Sequence, residues 1–221
     1  MTFTGPDLAA SAERTDTIYE AEGNVVISPT TGAVANAYIA VDPALTGAFI
    51  GSSHFVPPST TVAQDGTLSV STVSQTSDPV LAYTADGILH VVIIAYDIDF
   101  TGPLNMDIYV ADSADDGATW MVARAIDPPG TCAGVCDKPW IAVGPRPGGA
   151  GGESLYVTYM TSPSDVEAYE VVQRSDDGGA TWTAPVPFAS VNVIAATAPN
   201  LCTPFVGADG TVHFVWTQAY I

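Results

Sequence analysis

Ser113-Ala-Asp115-Asp-Gly117-Ala-Thr119-Trp120 returns, 62 residues later, as Ser175-Asp-Asp177-Gly-Gly179-Ala-Thr181-Trp182. Both copies read Ser-x-Asp-x-Gly-x-Thr-Trp, and such recurrence marks a repeated supersecondary unit rather than one irregular domain. The octapeptide has the chemistry of a hairpin turn. Ser and Asp side chains accept hydrogen bonds from nearby backbone N–H groups and pin a tight bend. Glycine supplies a positive φ that other residues resist. The closing Trp buries a large ring under the bend, and its indole N–H needs a partner.

The repeat extends outward from the octapeptide. Each unit opens with Pro and an apolar run: Pro79-Val-Leu-Ala, Pro139-Trp-Ile-Ala-Val and Pro204-Phe-Val-Gly. A turn follows at Asp86-Gly87 and at Asp209-Gly210, with a longer Gly/Pro loop over 144–152 in the middle unit. Second strands are expected at Leu89-His-Val91, Leu155-Tyr-Val157 and Val212-His-Phe214. Third strands lead into the octapeptide at 107–111 and 168–172, and fourth strands leave it at 121–125 and 184–188. Four short strands separated by turn signals, repeated along the chain, describe the blades of a propeller.

The octapeptide resembles the Asp-box, or bacterial neuraminidase repeat, of sialidase-like β-propellers. Over roughly residues 36–221 the resemblance implies an all-β fold: a β-propeller of four-stranded antiparallel blades, left incomplete. Blades are expected at about 36–76, 77–127 and 136–190, and the start of another at 200–221. Residues 1–35 are then an N-terminal arm or an incomplete strand. In the earliest blade, Tyr38-Ile-Ala-Val41 and Ala48-Phe-Ile50 read as the first two strands, and Gln64-Asp65-Gly66-Thr67 as a decayed Asp-box. An open arc would leave strand edges unpaired. The expectation is therefore a fragment of a longer protein, partnered by the remaining blades of the full-length chain.

Five Lys and Arg against 24 Asp and Glu give a formal net charge of −19. Such a field repels nucleic acid and anionic membrane surfaces, so neither is an expected partner. No apolar run reaches the roughly 18 residues of a membrane helix, so no membrane insertion is expected. The N-terminus lacks the basic and apolar regions of a signal peptide. The chain reads as extracellular or cell-surface, with any export signal lying upstream.

Cys132, Cys136 and Cys202 precede innermost strands. A bridge from Cys132 to Cys136 and one from either to Cys202 both stay open, while the spacing is wrong for zinc. The resemblance places the octapeptide turns opposite the active face of the family. Candidates on that face are Asp78, Tyr96, Asp97, Asp99, Asp137 and Lys138, and Asp137-Lys138-Pro139-Trp140 resembles a short signature of sialidase-like proteins. Trp140 itself is read as core. Asp97 and Asp99 offer oxygen ligands to a calcium ion, although solvated loop acids are the simpler account; no other cofactor is expected.

Sialidases hold the substrate carboxylate with three arginines, because guanidinium forks pair bidentately with carboxylates. Here Arg124, Arg146 and Arg174 fall away from the expected ligand face, and Arg14 lies in the arm. No complete catalytic set can be assembled. Two functions follow. In the first, the chain is a module of an exported protein that binds glycan or protein through its top loops. In the second, it is a fragment of a sialidase-like exo-glycoside hydrolase with catalytic residues partly in missing blades.

Overall fold

Short apolar runs broken by Asp- and Gly-rich turns build antiparallel sheets whose strands follow chain order. The computed structural model describes residues 19–41, 48–59, 63–68, 70, 75–97, 106–127, 132, 135–164, 167–192 and 197–220. Sheet one contains β1 (Tyr19–Ile27), β2 (Val34–Val41), β3 (Ala48–Phe55) and β4 (Ala63–Leu68). Sheet two contains β5 (Gln75–Tyr83), β6 (Leu89–Tyr96), β7 (Met106–Ser113) and the short β8 (Arg124–Ala125). Sheet three contains β9 (Val135–Pro145), β10 (Glu153–Ser164), β11 (Glu167–Ser175) and β12 (Val186–Asn192). Sheet four pairs β13 (Thr197–Val206) with β14 (Val212–Tyr220).

Two differences from the sequence reading concern sheet one. It begins at Tyr19, upstream of the boundary expected at residue 36, so residues 38–41 and 48–50 lie on its second and third strands rather than its first two. The stretch 64–67 lies inside β4 and pairs with β3, so it is strand and not a turn. Without the second glycine and the Trp, nothing in that stretch forces a bend. The fourth strand expected at 121–125 shrinks to two residues, and Met121 and Val122 are exposed.

Strand alternation gives sheet two a pair of apolar faces. Leu81, Leu89, Val91, Ile93 and Ala111 of sheet two pack on Ala35, Ala37, Ile50 and Leu68 of sheet one. The opposite face of sheet two, with Val80, Val92, Ile94 and Val110, packs on Ile141, Val157, Tyr159 and Val171 of sheet three. Sheet four lies against sheet three, where Phe214 of β14 stacks on Phe188 of β12 at 4.4 Å.

The octapeptides follow β7 and β11 and form nearly superimposable turns. Ser113 Oγ accepts from the Gly117 amide at 2.8 Å, and Asp115 accepts from the Thr119 amide at 2.8 Å and its hydroxyl at 2.6 Å. Ser175, Gly179, Asp177 and Thr181 repeat these three bonds at 2.8, 2.8 and 2.6 Å. Gly117 and Gly179 sit at φ of 94° and 86°, where an L side chain is strained. The Thr181 hydroxyl and amide, with Ser175, hold the exposed Asp177 carboxyl down to about 2. These turns share one end of the molecule with the links between first and second strands. Thr31 and Tyr83 both donate to Asp116, and the Ala85 amide donates to Glu153.

Candidate functional site

At the other end, the first strand of every sheet carries a β-bulge, where two residues oppose one. Asp78-Pro79 oppose Ile93, Lys138-Pro139 oppose Tyr159, Leu201-Cys202 oppose Trp216, and residues 22–23 oppose Tyr38. Proline brings no N–H to the ladder, so it is tolerated in a strand at such an interruption. A bulge also bends the strand and re-aims its side chains. Asp78, Lys138 and Leu201 adopt φ of 52°, 49° and 58°. That backbone costs a non-glycine residue about 1–2 kcal/mol, so three such residues at equivalent positions are held there by the surrounding sheets.

The four bulges meet around one cleft of about 300 Å³. Gly23 and Asn24 contribute from sheet one, Asp78, Pro79 and Val80 from sheet two, Lys138, Pro139 and Trp140 from sheet three, and Leu201 from sheet four. Asn24 is also a strut, because its side-chain oxygen accepts from the Leu81 amide at 2.9 Å. Lys138 Nζ lies 3.2 Å from Asp78 Oδ1, joining sheets three and two across the cleft. This is the chain's single lysine. Asp137 faces elsewhere: its Oδ1 accepts from the Lys138 amide at 2.9 Å and so steadies the bulge rather than lining the cleft.

Of the residues expected on the ligand face, the structure therefore brings Asp78 and Lys138 together, with Asp137 directly behind. Tyr96 is half-buried and packs against the core between sheets two and three. Asp97 is half-buried at the end of β6 and does not line the cleft. Asp99 lies outside the described residues. No group of acids, histidines or cysteines able to hold a metal occurs among the described residues, and the calcium reading rests on Asp99, which lies outside them. Trp140 serves two surfaces, packing on the core and lining the cleft. Leu201, Gly23 and Asn24 were not singled out in the sequence; the prolines were, but not the bulges they accompany.

Cys132 and Cys136 form the disulfide, with Cα atoms 5.7 Å apart, and Cys202 is a buried thiol. Burial, reinforced by Glu170, pushes the Cys202 thiol up to about 12, so it is inert as a nucleophile. Glu170 itself is fully buried, and among the described residues neither carboxylate oxygen has a hydrogen-bond partner. Burial first, then the Asp137 charge, raises its carboxyl to about 7. His90 and Asp112 pair at 2.8 Å, and Arg124 also bonds Asp112, but this group lies beside the octapeptide end and away from the cleft.

No family model matches the chain, and no curated protein resembles it in sequence. Solved structures resemble it in fold. A microbial sialidase, Hadza Hz136, aligns over 86% of this chain and 40% of its own with 17% identity and a TM-score of 0.61. An α-L-arabinanase of Penicillium chrysogenum, complexed with arabinobiose, aligns over 93% and 60% with 15% identity and a TM-score of 0.68. A GH93 α-L-arabinofuranosidase of Fusarium graminearum aligns over 93% and 58% with 13% identity and a TM-score of 0.65. The chain spans less than two thirds of the length of each. The fold is thus all-β and propeller-like, built among the described residues of three four-stranded antiparallel sheets and a two-stranded one that do not close into a ring.

Proposed function

We propose that the cleft between the four bulges binds the terminal sugar of a neutral glycan, in an exported protein of the Asp-box type. The observation that carries this reading is the convergence of the bulges on one small cleft with an ion pair and an indole in its wall. A sugar ring presents hydroxyls at its rim and C–H groups on its faces. Asp78 and Lys138 supply an acceptor and a donor for the rim, while Trp140, Pro79 and Pro139 supply apolar surface for a face. The volume falls at the small end of ligand pockets. Lys138 and Asp78 neutralise one another, and the surrounding charge of −19 opposes an anionic ligand. A sialoside, which needs guanidinium forks, is a poor match. The Cys132–Cys136 disulfide supports an oxidising, extracellular setting. No helix of the described residues is long and apolar enough to cross a membrane.

Hydrolysis is the second reading, favoured by the glycoside hydrolases among the structural neighbours. One experiment tests both: calorimetric titration with arabino-oligosaccharides, other neutral oligosaccharides and sialyllactose, alongside an assay for released sugar. Binding of a neutral oligosaccharide that is weakened at least tenfold, about 1.4 kcal/mol, by Trp140→Ala and by Lys138→Met is the expected result. Preference for sialyllactose, or binding indifferent to both substitutions, overturns the proposal. Release of sugar selects the hydrolytic reading.

A further inference from the structure

In the first three sheets, the opening strand resumes pairing after its bulge at an equivalent residue: Asn24 opposite Ala37, Val80 opposite Val92 and Trp140 opposite Thr158. All three line the cleft, and Asn24 alone of them has a hydrogen-bonding amide. That amide is oriented by a need of sheet two. β5 lies at an edge of its sheet, and Leu81, 4% exposed, gives its N–H to Asn24 Oδ1 at 2.9 Å. A buried amide left without a partner is costly, so this bond is held. It also decides which end of the side chain is which. Only an oxygen can accept from a backbone N–H, so the oxygen faces Leu81 and the NH2 group is turned from it. Among the described residues Asn24 Nδ2 has no hydrogen-bond partner. A half-buried side chain on the cleft wall thus carries N–H donors that the protein itself does not use.

We propose that Asn24 is a specificity-determining residue of the cleft: its Nδ2 donates to a hydroxyl oxygen of the bound sugar, and so admits a hydroxyl and rejects an amine at that position. The inference rests on the neutral-glycan reading and adds a contact to it. The donor is preorganised, because the Leu81 bond already fixes the amide plane and little side-chain freedom is lost on binding. A hydroxyl suits it, since it accepts from Asn24 while keeping its own proton to donate elsewhere. An ammonium only donates, and would set N–H against N–H. Lys138, the other donor in the cleft wall, repels it as well. The net charge of −19 draws cations toward the molecule, so charge alone favours an amino sugar. Asn24 predicts the opposite preference.

Asn24→Asp separates the two jobs of this side chain. One carboxylate oxygen can still take the Leu81 N–H, while the other puts an acceptor where the donor stood. Arabinobiose, galactobiose and cellobiose are titrated calorimetrically into the parent, Asn24→Asp and Asn24→Ala, and urea unfolding of each protein is followed in parallel. The disaccharide that the parent binds best should bind both variants weaker by about tenfold or more. The unfolding midpoint should hold in Asn24→Asp and fall in Asn24→Ala, which loses the strut. Analogues of that disaccharide with one hydroxyl replaced by an amine, taken in turn, should include a position that the parent rejects and Asn24→Asp recovers. Undiminished binding by Asn24→Asp, a binding loss matched by a lower midpoint in that variant, or the absence of such a position overturns the proposal and leaves Asn24 a strut. A parent that binds none of the three disaccharides overturns the neutral-glycan reading, and this proposal with it.

Discussion

A single hydroxyl does much of the folding work in each octapeptide. Ser175 is buried, and its Oγ accepts the Gly179 amide at 2.8 Å while donating to Asp177 at 2.8 Å. Alanine there would strand the Gly179 amide away from water. Leaving one buried donor unsatisfied costs about 1–3 kcal/mol. Ser175→Ala should therefore lower unfolding stability by that amount in urea titrations, and Ser113→Ala should do the same. Thr183→Ser, on the exposed side of the same bend, should change little. Gly179 tests the backbone separately. At φ of 86°, with Leu155, Trp182 and Arg124 at ordinary contact distance, a Cβ is opposed by conformation more than by space. Gly179→Ala should cost roughly 1–2 kcal/mol, and a neutral outcome would mean the turn adopts another φ.

At the scale of strands and sheets, the octapeptides were legible because turn chemistry is local. Ser, Asp and Gly specify a bend whatever packs around them, so β6, β7, β10 and β11 were placed around the two copies. The bulges were not legible. Asp78, Lys138 and Leu201 are different residue types in one conformation, held by the neighbouring sheets rather than by their own preference. β1 is read from sequence only as an arm or an incomplete strand, because Tyr19-Glu-Ala-Glu-Gly-Asn-Val-Val-Ile27 alternates weakly and carries a Gly-Asn turn signal at its centre. The cleft was only half visible: Asp78 and Lys138 could be picked as charged residues beside prolines, whereas Leu201 and Gly23 carry no chemical flag.

Glu170 was also invisible in the sequence, since an acid in mid-strand normally faces water. It lies in the row Asp137–Met160–Glu170 on the face of sheet three that meets sheet four. The titratable groups that reach it are Asp137 on β9 and Cys202 on β13. Its carboxyl holds its proton up to about 7, against 4.5 ordinarily. Between those values the folded state binds more protons than the unfolded chain. Stability from this group is therefore intact below about 4.5, declines as pH rises toward 7, and is level above it. Glu170→Gln removes the decline. The variant should gain on the parent by an amount on the order of 3 kcal/mol between mildly acidic and mildly alkaline pH, read from thermal unfolding. Parallel pH curves for the two proteins would rule out a buried, uncompensated acid at this interface.

For the molecule as a whole, charge is the dominant long-range term. With 24 acids against five Lys and Arg, the carboxylates far outnumber the basic side chains that could pair with them. Two ion pairs illustrate how the few cations are spent: Lys138 on Asp78 inside the cleft, and Arg124 on Asp112 beside the second octapeptide turn. Neither is placed to relieve the surface. Repulsion between the remaining acids acts over tens of ångströms at low salt and shrinks to a range of about 10 Å near 0.1 M. The folded state concentrates these charges more than the unfolded chain does, so screening favours folding. Urea midpoints should rise as NaCl goes from about 10 mM to 0.5 M, steeply at first and then flattening. The rise should be the same with KCl, since screening depends on ionic strength and not on the cation. Replacing NaCl by an equal ionic strength of CaCl2 separates screening from binding. Equal curves support general self-repulsion, whereas a much larger calcium effect would show a specific cation site and shift the account of the acidic surface from screening to ligation.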